Sequence, residues 1–147
     1  MYLQRRNRIL RTNASIRSLV SETTLKPSDF IAPLFVDEGE NVAFEIPSMP
    51  GYYRYSIDGT IKEVKLLWSM GIKSVLLFVQ AADETKDNTG KEAWNPDGLM
   101  QRTIKAVKNS LPELILMTRV ALYPHSVYAQ YATVRAGDIV HYPTRRA

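Results

Sequence analysis

Three features of this 147-residue chain predict an α/β fold built on a parallel sheet. Short, continuously apolar runs occur at Ile31–Val36, Ser74–Val79 and Leu114–Val120. Two stretches with helical apolar spacing lie between them, and successive runs start about 40 residues apart. That rhythm suits βαβ units, in which a helix carries the chain from one strand to its parallel neighbour.

The first run, IAPLFV, follows Lys26-Pro27-Ser28-Asp29, and its length and bounding turn residues suit a buried strand. Gly39 to Gly51 holds Pro47 and Pro50 and reads as a loop. From Thr60 to Met70, Ile61, Val64, Leu67 and Trp68 share one helical face, and Gly71 supplies the stop. SVLLFV is apolar throughout, as a parallel strand covered on both faces requires. Asp83 to Gly98 is polar and loop-like. Asn95-Pro96-Asp97 then offers a cap and first-turn proline for a helix carrying Met100, Ile104, Val107 and Leu111, which Pro112 ends. After Val120 the periodicity dissolves. Ala121 to Ala147 reads as a long loop, a weak helix near Val127 to Val134, or a disordered tail.

At 45% hydrophobic and 23% charged, the composition is that of one globular domain and excludes disorder over most of the chain. The absence of cysteine excludes a disulfide framework, thiolate zinc ligation and a cysteine nucleophile. No apolar run approaches the roughly 20 residues that span a bilayer, and the start lacks a secretory apolar core, so a soluble cytoplasmic protein is expected. The net charge of +4 is unevenly spread. Residues 1–20 carry five arginines and no acid, residues 21–118 carry ten bases against fourteen acids, and residues 119–147 carry four arginines against Asp138. The acid-free start fits a presequence, an RNA-binding arm or an arm that wraps a partner subunit.

In a parallel sheet with crossover helices, reactive groups collect at the C-terminal strand ends. Those ends are Val36-Asp37-Glu38, Val79-Gln80-Ala81, and Thr118-Arg119 running into Leu122-Tyr123-Pro124-His125, and the candidates among them are Asp37, Glu38, Arg119, His125 and the tyrosines. One adjacent carboxylate pair fixes no acid–base geometry, so Asp37 and Glu38 read as solvated loop residues. No nucleophile can be placed beside His125, which reads as a surface or packed imidazole. His125 and His141 have no metal-ligand spacing, and the glycines form no phosphate-cradling motif. None of the eight lysines is placed to form a Schiff base; Lys73 enters the second run at its N-terminal end.

Longer strings carry a resemblance. Gln4-Arg5-Arg6-Asn7-Arg8, Ser15-Ile16-Arg17-Ser18-Leu19-Val20, Ile31 to Val36, Ile46-Pro47-Ser48-Met49-Pro50-Gly51, Leu66 to Ile72 and Asn95-Pro96-Asp97-Gly98-Leu99 are similar to porphobilinogen synthase, also called 5-aminolevulinate dehydratase. The resemblance covers about residues 4–122. It implies a (β/α)8 barrel, of which this chain supplies the first three βα units. These are preceded by an arm at 1–21, occupy 22–122, and are followed by a divergent loop or tail at 123–147.

It further implies a zinc- or magnesium-using lyase of heme and tetrapyrrole biosynthesis, commonly an octamer, that condenses two 5-aminolevulinate molecules through lysine Schiff bases. The arm, with Arg5, Arg6, Arg8 and Arg11, is then a contact with a neighbouring subunit. The family's two catalytic lysines lie on later strands. Arg119 stands where the family has a carboxylate facing the active site, and Ala121, Tyr123 and Tyr131 stand at its metal-ligand positions. The resemblance thus implies a truncated, inactive form that binds no metal. The alternatives are a non-catalytic subunit that joins full-length synthase through the arm, and a basic nucleic-acid-binding protein. The second is disfavoured because no folded reading surface accompanies the charge.

Overall fold

The computed structural model describes residues 8–119, His125 and the backbone of two short strands, Thr133–Arg135 and Asp138–Val140. The main sheet contains β1 (Ile31–Val36), β2 (Ala43–Glu45), β3 (Tyr53–Tyr55), β4 (Ser74–Val79) and β5 (Ile115–Thr118), in the spatial order β2-β3-β1-β4-β5. β1, β4 and β5 are parallel neighbours, joined through α2 (Ile57–Ser69) and α3 (Leu99–Ser110). A short α1 (Ala14–Leu19) precedes them. The sheet is mixed, because β2 and β3 form an antiparallel hairpin whose second strand runs parallel to the end of β1. The expected loop from Gly39 to Gly51 therefore contains β2. Its three residues are all exposed, so no buried face marked it in the sequence.

Register explains the core. Leu34 lies opposite Leu77, and Val75 opposite both Ala32 and Leu116. These residues share the face covered by Val64 and Leu67 of α2 and Leu99 and Val107 of α3. Strand side chains alternate, so Ile31, Pro33, Phe35, Leu76, Phe78, Ile115 and Met117 occupy the opposite face. The apolar runs anticipate cover on both faces, but helices cover only one. Ile31 is 48% exposed, Ile115 54% and Met117 38%.

Alternation also places Pro33. The Val36 carbonyl accepts from Gln80 N–H of the β4 side at 3.1 Å, whereas Asp37 N–H donates to Tyr55 on the β3 side at 2.9 Å. Odd-numbered residues of β1 thus bond away from β4, and the donor that Pro33 lacks would have faced that outer edge. β3 pairs there only with Phe35 and Val36.

Helix boundaries follow from their caps. α2 begins three residues before the expected Thr60 because Ser56 precedes it in extended conformation. The buried Ser56 hydroxyl accepts from Val42 N–H at 2.9 Å and donates to Asp58 Oδ1 at 2.6 Å. The helix ends as Gly71 suggests: Gly71, at φ +93°, donates to Trp68, and Ile72 donates to Leu67, at 3.0 and 3.1 Å. This left-handed closure satisfies two terminal carbonyls.

Gly98, not Asn95, caps α3. The Asn95 side chain is spent on Asp97 N–H at 3.0 Å, and its carbonyl on Gly98 N–H at 3.0 Å, so Asn95-Pro96-Asp97 forms a turn before the helix. At the other end Lys108 Nζ donates to the Pro112 and Leu114 carbonyls at 3.1 and 2.8 Å. The third strand is shorter than its apolar run, ending at Thr118. Downstream, Thr133 and Val134 pair with Val140 and Ile139 in an antiparallel hairpin, which corrects both the helix expected to reach Val134 and the wholly irregular tail.

Replacing fully buried Leu77 by Ala should cost about 2–5 kcal/mol in denaturant unfolding, whereas exposed Leu66→Ala should stay within about 0.5 kcal/mol. The hydroxyl of Ser56, and then the Asn41 N–H, hold the Asp58 carboxyl below the usual carboxylate range. A depressed folded pKa gives stability that is full above the unfolded value and is lost as pH falls through the folded one. Asp58→Asn should therefore flatten the fall of Tm with pH below about 4.

Candidate functional site

Parallel pairing brings the C-terminal ends of β1, β4 and β5 to one rim, so Asp37, Glu38, Gln80 and Arg119 share an end of the sheet. The two carboxylates are not merely solvated. Asp37 Oδ2 lies 3.5 Å from Arg54 Nε, and the Arg54 guanidinium also donates to Gln80 Oε1. Arg54 comes from β3, in register with Phe35, and its cation sits 4.9 Å from the Phe44 ring centre. One side chain thus ties the ends of β1 and β4 to the hairpin. Glu38 pairs with Arg102 at the start of α3, and Arg102 Nε donates to the Asp97 carbonyl at 2.9 Å. Below this rim, on the open face, Phe35 and Phe78 stack with ring centres 5.3 Å apart.

Arg54 and Arg102 were not among the sequence candidates. Arg54 falls in the hairpin that the sequence concealed, though its place between Tyr53 and Tyr55 is a period-two signal. Arg102 lies 64 residues from Glu38, a separation at which no local pattern operates. Arg119 is exposed, just beyond β5. His125 is buried; its carbonyl accepts from Asp87 N–H at 3.3 Å, and its Nδ1 has no hydrogen-bond partner. Burial pushes this imidazole below the ordinary histidine pKa; Glu92 opposes the shift and Lys86 adds to it. Ala121, Tyr123 and Tyr131, and Arg5 and Arg6 of the arm, lie outside the described residues. Arg8 and Arg11 are exposed. Among the described residues no three His, Cys, Asp or Glu side chains gather to hold a metal ion, and no helix is long and apolar enough to cross a membrane.

All eight lysines are described residues, and none stands as a free amine on the rim's strands. Lys73 lies at the N-terminal end of β4, its ammonium 3.5 Å from the Trp68 ring centre. Lys86, in the loop after β4, is held by Asp83 Oδ1 at 2.5 Å.

With this geometry in place, the likeness to known proteins is decisive. A profile of the family described as "Delta-aminolevulinic acid dehydratase" matches residues 4–146. The chain belongs to the delta-aminolevulinic acid dehydratase family. It is 38% identical over 139 residues to the dehydratase of Chlamydia pneumoniae, and 40% identical over 139 residues to that of Synechococcus elongatus. Each alignment takes 95% of this chain and 42% of the relative, so the chain spans about two-fifths of the length of these dehydratases. The solved dehydratase (porphobilinogen synthase) of Toxoplasma gondii, in complex with its reaction product porphobilinogen, superposes with a TM-score of 0.90 at 41% identity. That match covers 98% of this chain and 41% of the other. The α/β architecture and mixed sheet are therefore those of this family of lyases, at the first part of its fold.

Arg54→Ala should cost about 1–2 kcal/mol, because it removes a partly buried charge pair and a charge-assisted hydrogen bond. Hydrogen exchange should locate the loss, with the Asp37 and Gln80 amides exchanging faster than in the parent and the Val64 amide changing least.

Proposed function

We propose that this chain is the part of a porphobilinogen synthase barrel that builds three of its eight βα units and one sector of its catalytic rim, and that it forms no porphobilinogen alone. Condensing two 5-aminolevulinate molecules through Schiff bases needs a desolvated amine at the rim. The observation that carries this reading is the position of the lysines. The amine at β4 sits at the opposite end of the strand against Trp68, Lys86 in the following loop is paired with Asp83, and Lys91 in the same loop is exposed to water rather than desolvated.

The rim's own groups can orient and brace. Arg54 and Arg102 hold the strand ends together, and Phe35 and Phe78 offer an apolar floor that excludes water. At the family's metal-ligand positions Ala121 has no donor atom, and Tyr123 and Tyr131 offer neutral phenols in place of carboxylates or thiolates. That donor set does not fit zinc or magnesium, so no step through a metal is assigned to this chain. Arg119, a cation in place of the active-site carboxylate, belongs to the same altered segment.

Purified chain incubated with 5-aminolevulinate should give no porphobilinogen above a metal-only blank, and borohydride should trap no adduct by intact-mass analysis. Product or a trapped adduct overturns the reading.

A second reading rests on the start of the chain. α1 buries none of its residues, and Ile9, Leu10, Leu19 and Leu25 are 58–85% exposed beside Arg8 and Arg11. An unpacked apolar and basic segment suits an arm, residues 1–21 with Arg5, Arg6, Arg8 and Arg11, that seats this chain on a full-length synthase as a non-catalytic subunit. Co-purification with a full-length relative, lost on deletion of residues 1–20, tests it.

A further inference from the structure

Strand alternation divides β3 between the two sides of the sheet. Arg54, in register with Phe35, goes to the rim, whereas Tyr55, in register with Val36, lies with Tyr53 on the helix side. The two tyrosine rings stack with centres 5.9 Å apart. Gly59, in the first turn of α2, permits this arrangement, since a Cβ there would stand 3.1 Å from Tyr55 Cβ and 3.2 Å from its ring. One helical turn further on, Glu63 comes to the same side of α2.

α2, β3 and the neighbouring stretch of β1 border a cavity of about 190 Å³. Tyr52, Tyr53, Tyr55, Pro33 and Leu67 line it, and among the described residues Glu63 is its one charged lining side chain. An adjoining cleft of about 290 Å³ shares Tyr55 and Glu63 and adds Asp58 and Lys62. Those two lie 3.9 Å apart and offset each other. The Glu63 carboxylate enters no ion pair or hydrogen bond among the described residues, so its charge stands uncompensated. Burial, then Glu63 and Tyr53, raises the Tyr55 phenol above its ordinary pKa, which keeps that ring neutral within electrostatic reach of the carboxylate.

This chemistry selects among ligands. An anion would meet Glu63 and the negative faces of the rings. A neutral apolar group would strip water from the carboxylate and leave it unpaired. A bare metal ion would find one carboxylate and no second acidic or imidazole ligand beside it in this cavity. An alkylated ammonium brings one positive charge to Glu63 and weakly hydrated methyl groups to the rings, the pairing on which aromatic cages rely.

We infer that the cavity between β3 and α2 is a binding site for an alkylated ammonium group, with Tyr52, Tyr53 and Tyr55 as its aromatic wall and Glu63 as its counter-charge. It lies across the sheet from the rim that Arg54 braces, and it stands whether or not the chain condenses 5-aminolevulinate.

The test is amide NMR of the isotope-labelled full chain during titration with choline chloride, with choline's neutral carbon isostere, and with sodium chloride. Saturable choline shifts are expected at Tyr53, Tyr55, Gly59 and Glu63, with binding about five-fold or more tighter than that of the isostere. Glu63→Gln and Tyr53→Leu should each weaken choline by about three-fold or more, while Tyr53→Phe retains it, because the ring and not the hydroxyl makes the contact. Acetylated and amidated trimethyllysine, titrated likewise, separates two sources of the same group. Binding tighter than choline's assigns the site to a modified lysine of another protein, and looser binding assigns it to a free small molecule. Equal binding of choline and its isostere overturns the proposal. So do shifts that fail to saturate or that sodium chloride reproduces, and so does choline binding unchanged in both Glu63→Gln and Tyr53→Leu.

Discussion

Six consecutive residue pairs between β1 and β4 hold the rest of the structure in place. Because the pairing is parallel and in register from Ile31–Ser74 to Val36–Val79, it settles three things together. Leu34, Val36, Val75 and Leu77 are turned toward the helices; Phe35 and Phe78 meet on the other side; and Asp37 comes close enough to Gln80 for one guanidinium to reach both. A slip of one residue would invert every side chain and dissolve the core and the rim alike. The hairpin of β2 and β3 depends on that register too, since Arg54 reaches the rim only because β3 pairs with the last two residues of β1.

The elements legible in the sequence are those whose burial leaves a mark on composition. IAPLFV and SVLLFV match β1 and β4 to the residue, and the spacing of Val64 and Leu67 locates α2. β2 and β3 escape because each is three residues long and none of their residues is fully buried, the pair being held by backbone pairing that any side chain permits. The start of α3 was misplaced because Asn95 has the chemistry of a cap and spends it on its own turn. The rim divided in the same way. Asp37, Glu38, Gln80 and Arg119 follow from strand ends, which are visible locally. Their partners Arg54 and Arg102 follow from topology.

The family assignment joins these observations without replacing them. A TM-score of 0.90 at 41% identity means that the parallel ladder, the one-sided helix layer and the hairpin are shared with a solved dehydratase. The strings that carry the resemblance, Ile31 to Val36 and Leu66 to Ile72 among them, are ones that build this scaffold. The packing of Leu77 against its helices places no demand on what stands beyond Thr118.

Pro33 has a consequence beyond its own strand. By denying a donor to the outer margin of β1, it interrupts the row of amides that a fibril would need as a template, so that margin is protected against runaway stacking. Ile115, Leu116 and Met117 along β5 contain no such interruption. Of these two margins, the one along β5 is therefore the more open to cross-β growth.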